Sequence, residues 1–397
     1  MNASDIKPSN TESYDALIEQ YINVDPVEVA LKTRNSELAS HIKYLQRAKH
    51  KLPSWYAARC IISKLLFEQS SSQAVADAKF SGLSGEKALD LTCGLGVDSS
   101  VLSAHFKEVT SVEIDADKVT TASYNFKRLG VSNISIENCS AEEFCAIAKK
   151  SPIKYDFVYL DPSRIKDGQR VFSIEDCSPN FNAILPALQK IASRIVVKLS
   201  PLFDIDELYK LYSSYHIDIA VISSGNECKE LLLGITPSLA SNVGNVAVNH
   251  IIIDSKGVRS CVLSKSQKQL KLSDINLQLY SHLAIPNVAF YKSRLLNEYI
   301  DYVGIDGDFF NYIFTRSKPT KSIEGQLFKI DRWMLYSPKN LRTTLKEMKI
   351  KSAQILIKDF PHTLEELRKT LKLKAGNDAR LIFTTIKEQL TVFFVTL

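Results

Sequence analysis

The segment best suited to chemistry is Tyr155-Asp156-Phe157-Val158-Tyr159-Leu160-Asp161-Pro162-Ser163-Arg164. Its four apolar residues, Phe157 to Leu160, predict a buried strand that ends at Asp161, and Pro162 stiffens the turn that follows. A carboxylate at a strand tip can take or direct a proton. Apart from holding donor and acceptor in line, that is what an in-line group transfer asks of a protein. Arg164 can stack on a base or pair with a phosphate, and it can equally form a structural ion pair. Arg170 and Glu175-Asp176-Cys177-Ser178-Pro179 follow in the loop after the same strand. Lys198 ends a second apolar run, Arg194 to Leu199, where it is either a phosphate contact or a rim lysine without a role. The catalytic candidates are therefore Asp161, Pro162 and Arg164, with Ser163, Arg170 and Lys198 as substrate contacts. Cys177 is a weaker candidate, a nucleophile of the kind used at pyrimidine C5. No partner pattern surrounds it, so an ordinary loop cysteine is the better reading.

A second constellation lies between Lys87 and Asp98, where KALDLTCGLGVD runs from a buried strand through two glycines into a helix start. Seventeen residues past the second glycine, VTSVEID places Glu113 at the end of another apolar strand. A dinucleotide site needs a third glycine in G-x-G-x-x-G, so that the helix packs closely enough to receive a pyrophosphate. Ser99 stands there instead. A nucleoside without a pyrophosphate does not need that close packing, and S-adenosylmethionine is such a ligand. Gly94 and Gly96 let the backbone approach its methionine arm, and the helix starting near Asp98 points amides at its carboxylate. Asp90 orders the turn or meets the ammonium group, and Glu113 can accept both ribose hydroxyls. Asn138-Cys139-Ser140-Ala141 follows the third strand, where an acid would commonly meet the adenine, and Ser140 or the backbone must serve. The cofactor candidates are Asp90, Gly94, Gly96, Asp98, Glu113 and Ser140.

Strands must alternate with helices to hold these groups at one edge. The pattern predicts strands at 88–91, 109–113, 134–137, 157–160 and 194–199, with helices such as 118–129 and 183–191 between them, hence a parallel sheet covered on both faces. Ile217–Ser223 and Cys228–Ile235 are separated only by a short Ser-Gly-Asn turn and so must be antiparallel. Val246–Asp254 and Val258–Ser264 predict a further hairpin. Before the sheet, helical spacing covers Glu12–Ala48, Trp55–Phe67 and Gln73–Phe80. After it, residues from Gly325 read β-α-β-α-β-β, ferredoxin-like in spirit. The expected organisation is an N-terminal helical module (1–80), an α/β domain with its hairpin extension (81–275), a connecting segment (276–322) and a small basic α+β domain (323–397).

Composition bounds the function. The 397 residues are 45% hydrophobic and 24% charged, as in an ordinary globular chain. No run approaches the roughly 18 to 20 apolar residues of a membrane helix, and the first residues lack the order of a signal peptide. Seven scattered cysteines with no C-x-x-C pair argue for a reducing compartment, the cytoplasm, and against a disulfide framework or metal site. Net charge is +6, but Arg316–Leu397 carries 17 Lys and Arg against 8 Asp and Glu, a net +9, which leaves −3 on the first 315 residues. A basic tail on a near-neutral body suggests a polyanion as partner, though a solvated lysine-rich surface has the same composition.

Several runs together resemble one family. Lys51-Leu52-Pro53 with Trp55, Glu68-Gln69-Ser70-Ser71-Ser72, DLTCGLGVD, VEID, LDPSR with EDCSP, VKLSPLFD and ECKELL resemble bacterial class I S-adenosylmethionine-dependent methyltransferases with a THUMP-like C-terminal domain. IKDFPHTLEELRKTLKLKAGNDARLIFTT resembles that domain, and the stretch around Pro286-Asn287 resembles the small ferredoxin-like piece before it. The resemblance implies a Rossmann-like class I sheet with an antiparallel terminal hairpin. It also implies an S-adenosylmethionine-dependent enzyme acting on structured RNA, tRNA or rRNA, bound through the basic C-terminal domain. In amino-group methyltransferases, the (D/N)-P-P-(Y/F/W) pattern supplies an aromatic to stack on the target base; here Ser163-Arg164 replace its last two residues. The alternatives are a small-molecule or protein acceptor, or a donor-binding protein without turnover.

Overall fold

The computed structural model describes residues 11–150, 153–163, 165–166, 169–170, 173–239, 246–265, 276–309 and 311–397. The chain divides into two compact units, Met1–Val262 and Leu263–Leu397.

The first unit opens with helices α1 (Thr11–Tyr21), α2 (Pro26–Thr33), α3 (Ser36–Lys51), α4 (Pro53–Ala57), α5 (Lys64–Gln69) and α6 (Gln73–Phe80). Local caps set these boundaries: Asp25 and Asn35 accept from backbone amides at the starts of α2 and α3, and Ser72 does so for α6. The helix expected over Trp55–Phe67 is interrupted. Arg59 takes a left-handed φ of 52°, and the amide of Cys60 returns to the carbonyl of Trp55, which ends α4. Trp55, Leu45, Ile42 and Ala48 form the core of this module. Reciprocal hydrogen bonds between the Asn125 side chain and the backbone of Ile61 (2.7 and 2.9 Å) tie it to the α/β layer.

That layer alternates as the pattern predicts: β1 (Gly85–Asp90), α7 (Val97–Leu102), β2 (Phe106–Val112), α8 (Ala116–Arg128), β3 (Ile134–Glu137), α9 (Ala141–Ala148), β4 (Phe157–Leu160), the short β5 (Ile165–Lys166) and β6 (Gln169–Arg170), α10 (Phe181–Ile191), β7 (Ile195–Leu199), α11 (Ile205–Leu211), β8 (Tyr215–Ser224) and β9 (Glu227–Leu239), followed by β10 (Ala247–Asp254) and β11 (Gly257–Ser264). The sheet order is β11-β10-β8-β9-β7-β4-β1-β2-β3. From β3 to β7 every pair is parallel. Strand β9 is antiparallel to both β7 and β8, as the short turn before it requires. Strand β10 runs parallel to β8, so the last hairpin extends this sheet. The strand order reverses between β1 and β4, the position where an open α/β sheet leaves a crevice at its strand ends. Beneath it, Phe80 meets Tyr159 edge-on at 5.1 Å, which anchors α6 to the centre of the sheet.

The second unit is built on an eight-stranded sheet: β12 (His282–Pro286), β13 (Gly307–Phe309), β14 (Ile313–Thr315), β15 (Gly325–Leu335), β16 (Ser352–Lys358), β17 (Lys374–Ala375), β18 (Ala379–Ile386) and β19 (Gln389–Thr396), ordered β13-β14-β12-β15-β19-β18-β16-β17. Strands from 276–322 and from 323–397 thus share one sheet. Helices Pro338–Glu347 and Leu364–Leu371 cover it with Leu341, Leu345, Leu367 and Leu371. Among the described residues, no helix is long and apolar enough to cross a membrane.

Candidate active site

A cavity of about 600 Å³ lies at the strand ends of the first unit, within the range ligand sites occupy. Lining it are Thr92, Cys93, Gly94 and Asp98 from the β1–α7 turn, Glu113 after β2, Ser140 before α9, Asp161, Pro162 and Ser163 after β4, and Lys198 on β7. The two constellations predicted separately therefore meet in one space. Gly96 supports the turn from below and Asp90 is fully buried, neither one lining the cavity. Arg164 lies outside the described residues. Arg170 is placed through its backbone alone, in β6, where it pairs with Ile165 of β5.

The half of the cavity expected to hold the donor is built mainly by hydrogen bonds from hydroxyls and backbone amides, with one cation, Lys118, 3.9 Å from Glu113. Asp90 accepts from Ser99 Oγ at 2.5 Å and from the Thr92 amide at 3.0 Å. It therefore orders the turn, one of the two roles its position allowed, from behind the residues that line the cavity. Burial without a cation beside it raises its carboxyl to about 7. Ser99, where a dinucleotide site has glycine, is spent on Asp90 and on Ser111, whose hydroxyl donates to it at 2.9 Å. Gly94 and Gly96 both have positive φ, 55° and 92°. A Cβ at Gly96 would meet the Phe126 ring at 2.6 Å, whereas one at Gly94 would meet nothing nearer than 3.9 Å. Gly94 is thus the glycine that leaves room beside the ligand space. Its amide donates to Glu113 Oε2 at 2.8 Å, and the Asp115 amide donates to Oε1 at 3.1 Å. Glu113 is oriented from below with lone pairs left over, as a carboxylate taking two vicinal hydroxyls must be. Ser140 caps α9 in a capping box with Glu143 and also lines the cavity. An open glycine turn beside an oriented, half-satisfied acid fits an adenosine carrying a charged arm.

The acceptor half is held by ions. Lys198 Nζ donates to Asp161 Oδ2 at 2.7 Å, and the Asp161 amide donates to Thr92 Oγ1 at 2.7 Å, which joins the two halves. Burial pushes the Asp161 carboxyl up from its ordinary value, while Lys198 and Lys79 oppose the rise. Lys198 is pushed up by Asp161 and Glu230, against its own burial. Asp98, expected as a donor contact, lines the cavity but turns its carboxylate inward, to Lys79 Nζ at 2.9 Å and the Tyr159 hydroxyl at 3.0 Å. Lys79, Glu230 and Tyr159 were not singled out from the sequence; the signal available was a lysine inside the apolar α6 and a glutamate inside the β9 run. Ser71, from the segment between α5 and α6, donates to Glu230 Oε1 at 2.6 Å.

Cys177 is half-buried, hydrogen-bonds the Ser173 carbonyl at 3.4 Å and lies outside the cavity lining. The cysteines that do line it, Cys93 and Cys139, are both raised by burial and nearby acids, so neither is held as a thiolate. Among the described residues no group of His, Cys, Asp and Glu could hold a metal ion.

Both units resemble known proteins. Residues 85–235 match the family model for RNA cap guanine-N2 methyltransferase, and residues 325–396 match that of the THUMP domain-like family. The chain joins a class I methyltransferase domain to a THUMP-like domain. A solved structure from Porphyromonas gingivalis W83, itself given a provisional methyltransferase assignment, superposes with a TM-score of 0.82. It covers 97% of this chain and 98% of its own at 23% identity, so the whole two-unit fold has a counterpart. An uncharacterized S-adenosylmethionine-dependent methyltransferase of Mycobacterium tuberculosis is 26% identical over 168 residues, 42% of this chain. That match spans 43% of the relative, less than half its length. A tRNA/tmRNA (uracil-C(5))-methyltransferase of Actinobacillus pleuropneumoniae is 41% identical over only 56 residues, 14% of this chain and 15% of that one.

Proposed function

We propose that this protein is an S-adenosylmethionine-dependent methyltransferase acting on structured RNA, tRNA or rRNA. The carrying observation is that the open turn at Gly94, the oriented carboxylate of Glu113 and the Asp161–Lys198 pair line a single cavity. S-adenosylmethionine, when bound, supplies an electrophilic methyl group on a sulfonium. Glu113 holds the ribose hydroxyls, and the Gly94 turn receives the amino-acid arm. Asp161 keeps one oxygen on Lys198 and offers the other to an N–H or O–H of the acceptor. It takes the proton released as the acceptor heteroatom bonds the methyl carbon and the carbon–sulfur electron pair leaves on sulfur. RNA as the acceptor is supported by the description of the family matched at residues 85–235, an RNA cap guanine-N2 methyltransferase, and by the net +9 carried by Arg316–Leu397.

The deciding experiment is transfer of labelled methyl from S-adenosylmethionine into total RNA from cells lacking this gene, with RNA from normal cells and the Asp161→Ala protein as controls. Label confined to the deficient RNA and lost with Asp161→Ala is the expected result. Donor binding without label in RNA would move the acceptor to a small molecule or protein. Binding to RNA should weaken steeply with salt through the basic domain, and a flat salt dependence would remove that domain from recognition.

A further inference from the structure

Five charged side chains, four from separate elements and Asp161 from the turn after β4, meet under the acceptor half of the cavity. Lys79 (α6) has no side-chain exposure and lies 2.9 Å from both Asp98 Oδ1 (α7) and Glu230 Oε2 (β9). It also donates to the Tyr159 hydroxyl at 2.8 Å. Lys198 (β7) lies 2.7 Å from Asp161 Oδ2 and 3.5 Å from Glu230 Oε1. Ser71 sits between the lysines, 3.3 Å from each, and donates to Glu230. Two cations thus face three carboxylates, and Glu230 is the only one of the three within ion-pair distance of both lysines.

That arrangement resolves a conflict in the acceptor site. A buried carboxylate between two lysines is held so firmly ionised that it is a poor proton acceptor. We propose that Glu230 is a positioning residue that draws the two buried lysines toward itself, and so leaves Asp161 oriented by Lys198 yet able to accept the acceptor's proton. The inference rests on the reading of Asp161 as the acceptor-site carboxylate. The electrostatics run the same way: Glu230, fully buried with both lysines on it, is pulled down to about 2, while Asp161 stays above the ordinary aspartate value. Two carboxylates whose surroundings push them apart divide the work, one as fixed counter-charge and one as base. Ser71 extends the arrangement to the Glu68–Ser72 segment, which lines the cavity through Glu68, Gln69, Ser70 and Ser71.

Asp161 faces Lys198, Lys79, Asp98, Asp90 and Tyr159, and Lys198 faces Asp161, Glu230 and Asp98. Lys51 of α3 and Lys229 of β9 are the further cations close by. Neutralising Glu230 hands both lysines to Asp161, so its titration moves to lower pH; removing the charge of Lys198 moves it to higher pH.

The test is carbon-13 NMR titration of the full chain labelled at aspartate Cγ, with the Asp161 signal assigned by its loss in D161N. Glu230→Gln, which keeps the shape and the acceptor for Ser71, should lower the Asp161 midpoint by about one pH unit. Lys198→Met should raise it by a similar amount, and Lys198→Arg should leave it near the native value. A folded E230Q protein whose Asp161 midpoint is unmoved or raised overturns the proposal. A purely structural Glu230 would lower the melting temperature and leave the midpoint in place. E230Q is nearly isosteric and K198R keeps the charge, so the comparison stands even if K198M does not fold. Methyl transfer into total RNA from cells lacking the gene gives the second readout, its acid limb shifting in parallel. Absence of any RNA methylation would count against the proposed function, while the NMR titration would still decide the role of Glu230.

Discussion

Asp90 and Glu230 are both buried carboxylates of the same sheet, one under the donor half of the cavity and one under the acceptor half, yet they sit at opposite ends of the protonation scale. Asp90 is held at about 7 and Glu230 at about 2. Burial raises both. Asp90 meets only hydroxyls and an amide, which offset part of the cost of burying its charge, whereas Glu230 meets two lysines, which reverse that cost. The turn under the donor half is thereby built on neutral hydrogen bonds around an acid that resists ionising, and the acceptor half on a cluster of ions that pair with one another.

That contrast breaks most visibly at Lys79. Lys79→Met leaves Glu230 and Asp98 buried with one cation fewer, which should cost about 3–5 kcal/mol of stability. Urea unfolding followed by circular dichroism reads this loss, and a change below about 1 kcal/mol would show that the cluster is solvated rather than closed. Asp161→Asn tests the catalytic side of the same half. Methyl transfer should fall by about 10²- to 10⁴-fold, the usual worth of a proton-accepting group, with S-adenosylmethionine binding by calorimetry unchanged. Loss of donor affinity instead would place Asp161 in the donor half.

The two glycines sharpen the comparison within the donor half. Gly96→Ala puts a methyl 2.6 Å from the Phe126 ring at a φ of 92°, so it should destabilise the fold by roughly 1–2 kcal/mol from the backbone alone, more if Phe126 cannot move. Gly94→Ala has the same kind of backbone cost but open space in front of it, so it should in addition weaken donor binding. Thermal melts with and without S-adenosylmethionine separate the two. Equal ligand-induced shifts in both variants would mean that Gly94 does not border the donor.

The sequence spoke most clearly where structure is set locally. The period of the apolar runs, the two-glycine turn and the Ser-Gly-Asn hairpin placed the strands of the α/β layer to within a few residues, and strand tips at Glu113, Asp161 and Lys198 converge because parallel strands end on one edge. What stayed hidden depends on contacts between distant segments. Lys79 and Glu230 each look like a stray charge in an apolar run until α6 packs beneath β9, although the ECKELL run that contains Glu230 was already part of the family resemblance. The hydrogen bonds that Asp90 accepts from Ser99 and the Thr92 amide depend on a burial that its neighbours in sequence do not mark. The parallel pairing of β10 with β8 likewise depends on a crossover that no local pattern announces.

The remaining expected effect is one of pH and concerns Asp90. Its folded-state value, about 7, lies above the ordinary aspartate value of 3.8 that the unfolded chain takes. Between those limits the folded protein holds a proton that the unfolded chain has released, so this group's contribution to stability is fully present below about pH 4 and is lost as pH rises to about 7. Glu230 has the opposite sense: lowered in the folded state, its contribution is present above the ordinary glutamate value and is lost only as pH falls toward 2. Between pH 5 and 8, therefore, Asp90 is the one of the two whose contribution changes. Asp90→Asn, which keeps an acceptor for Ser99 and the Thr92 amide, should flatten the fall in unfolding free energy over that range relative to the native chain, while Glu230→Gln should leave the slope over that range as it is. Urea midpoints at pH 5 and pH 8 for the three proteins provide the comparison. An unchanged slope in D90N would mean that water reaches Asp90, and that the donor half is no drier than the solvent-facing rim.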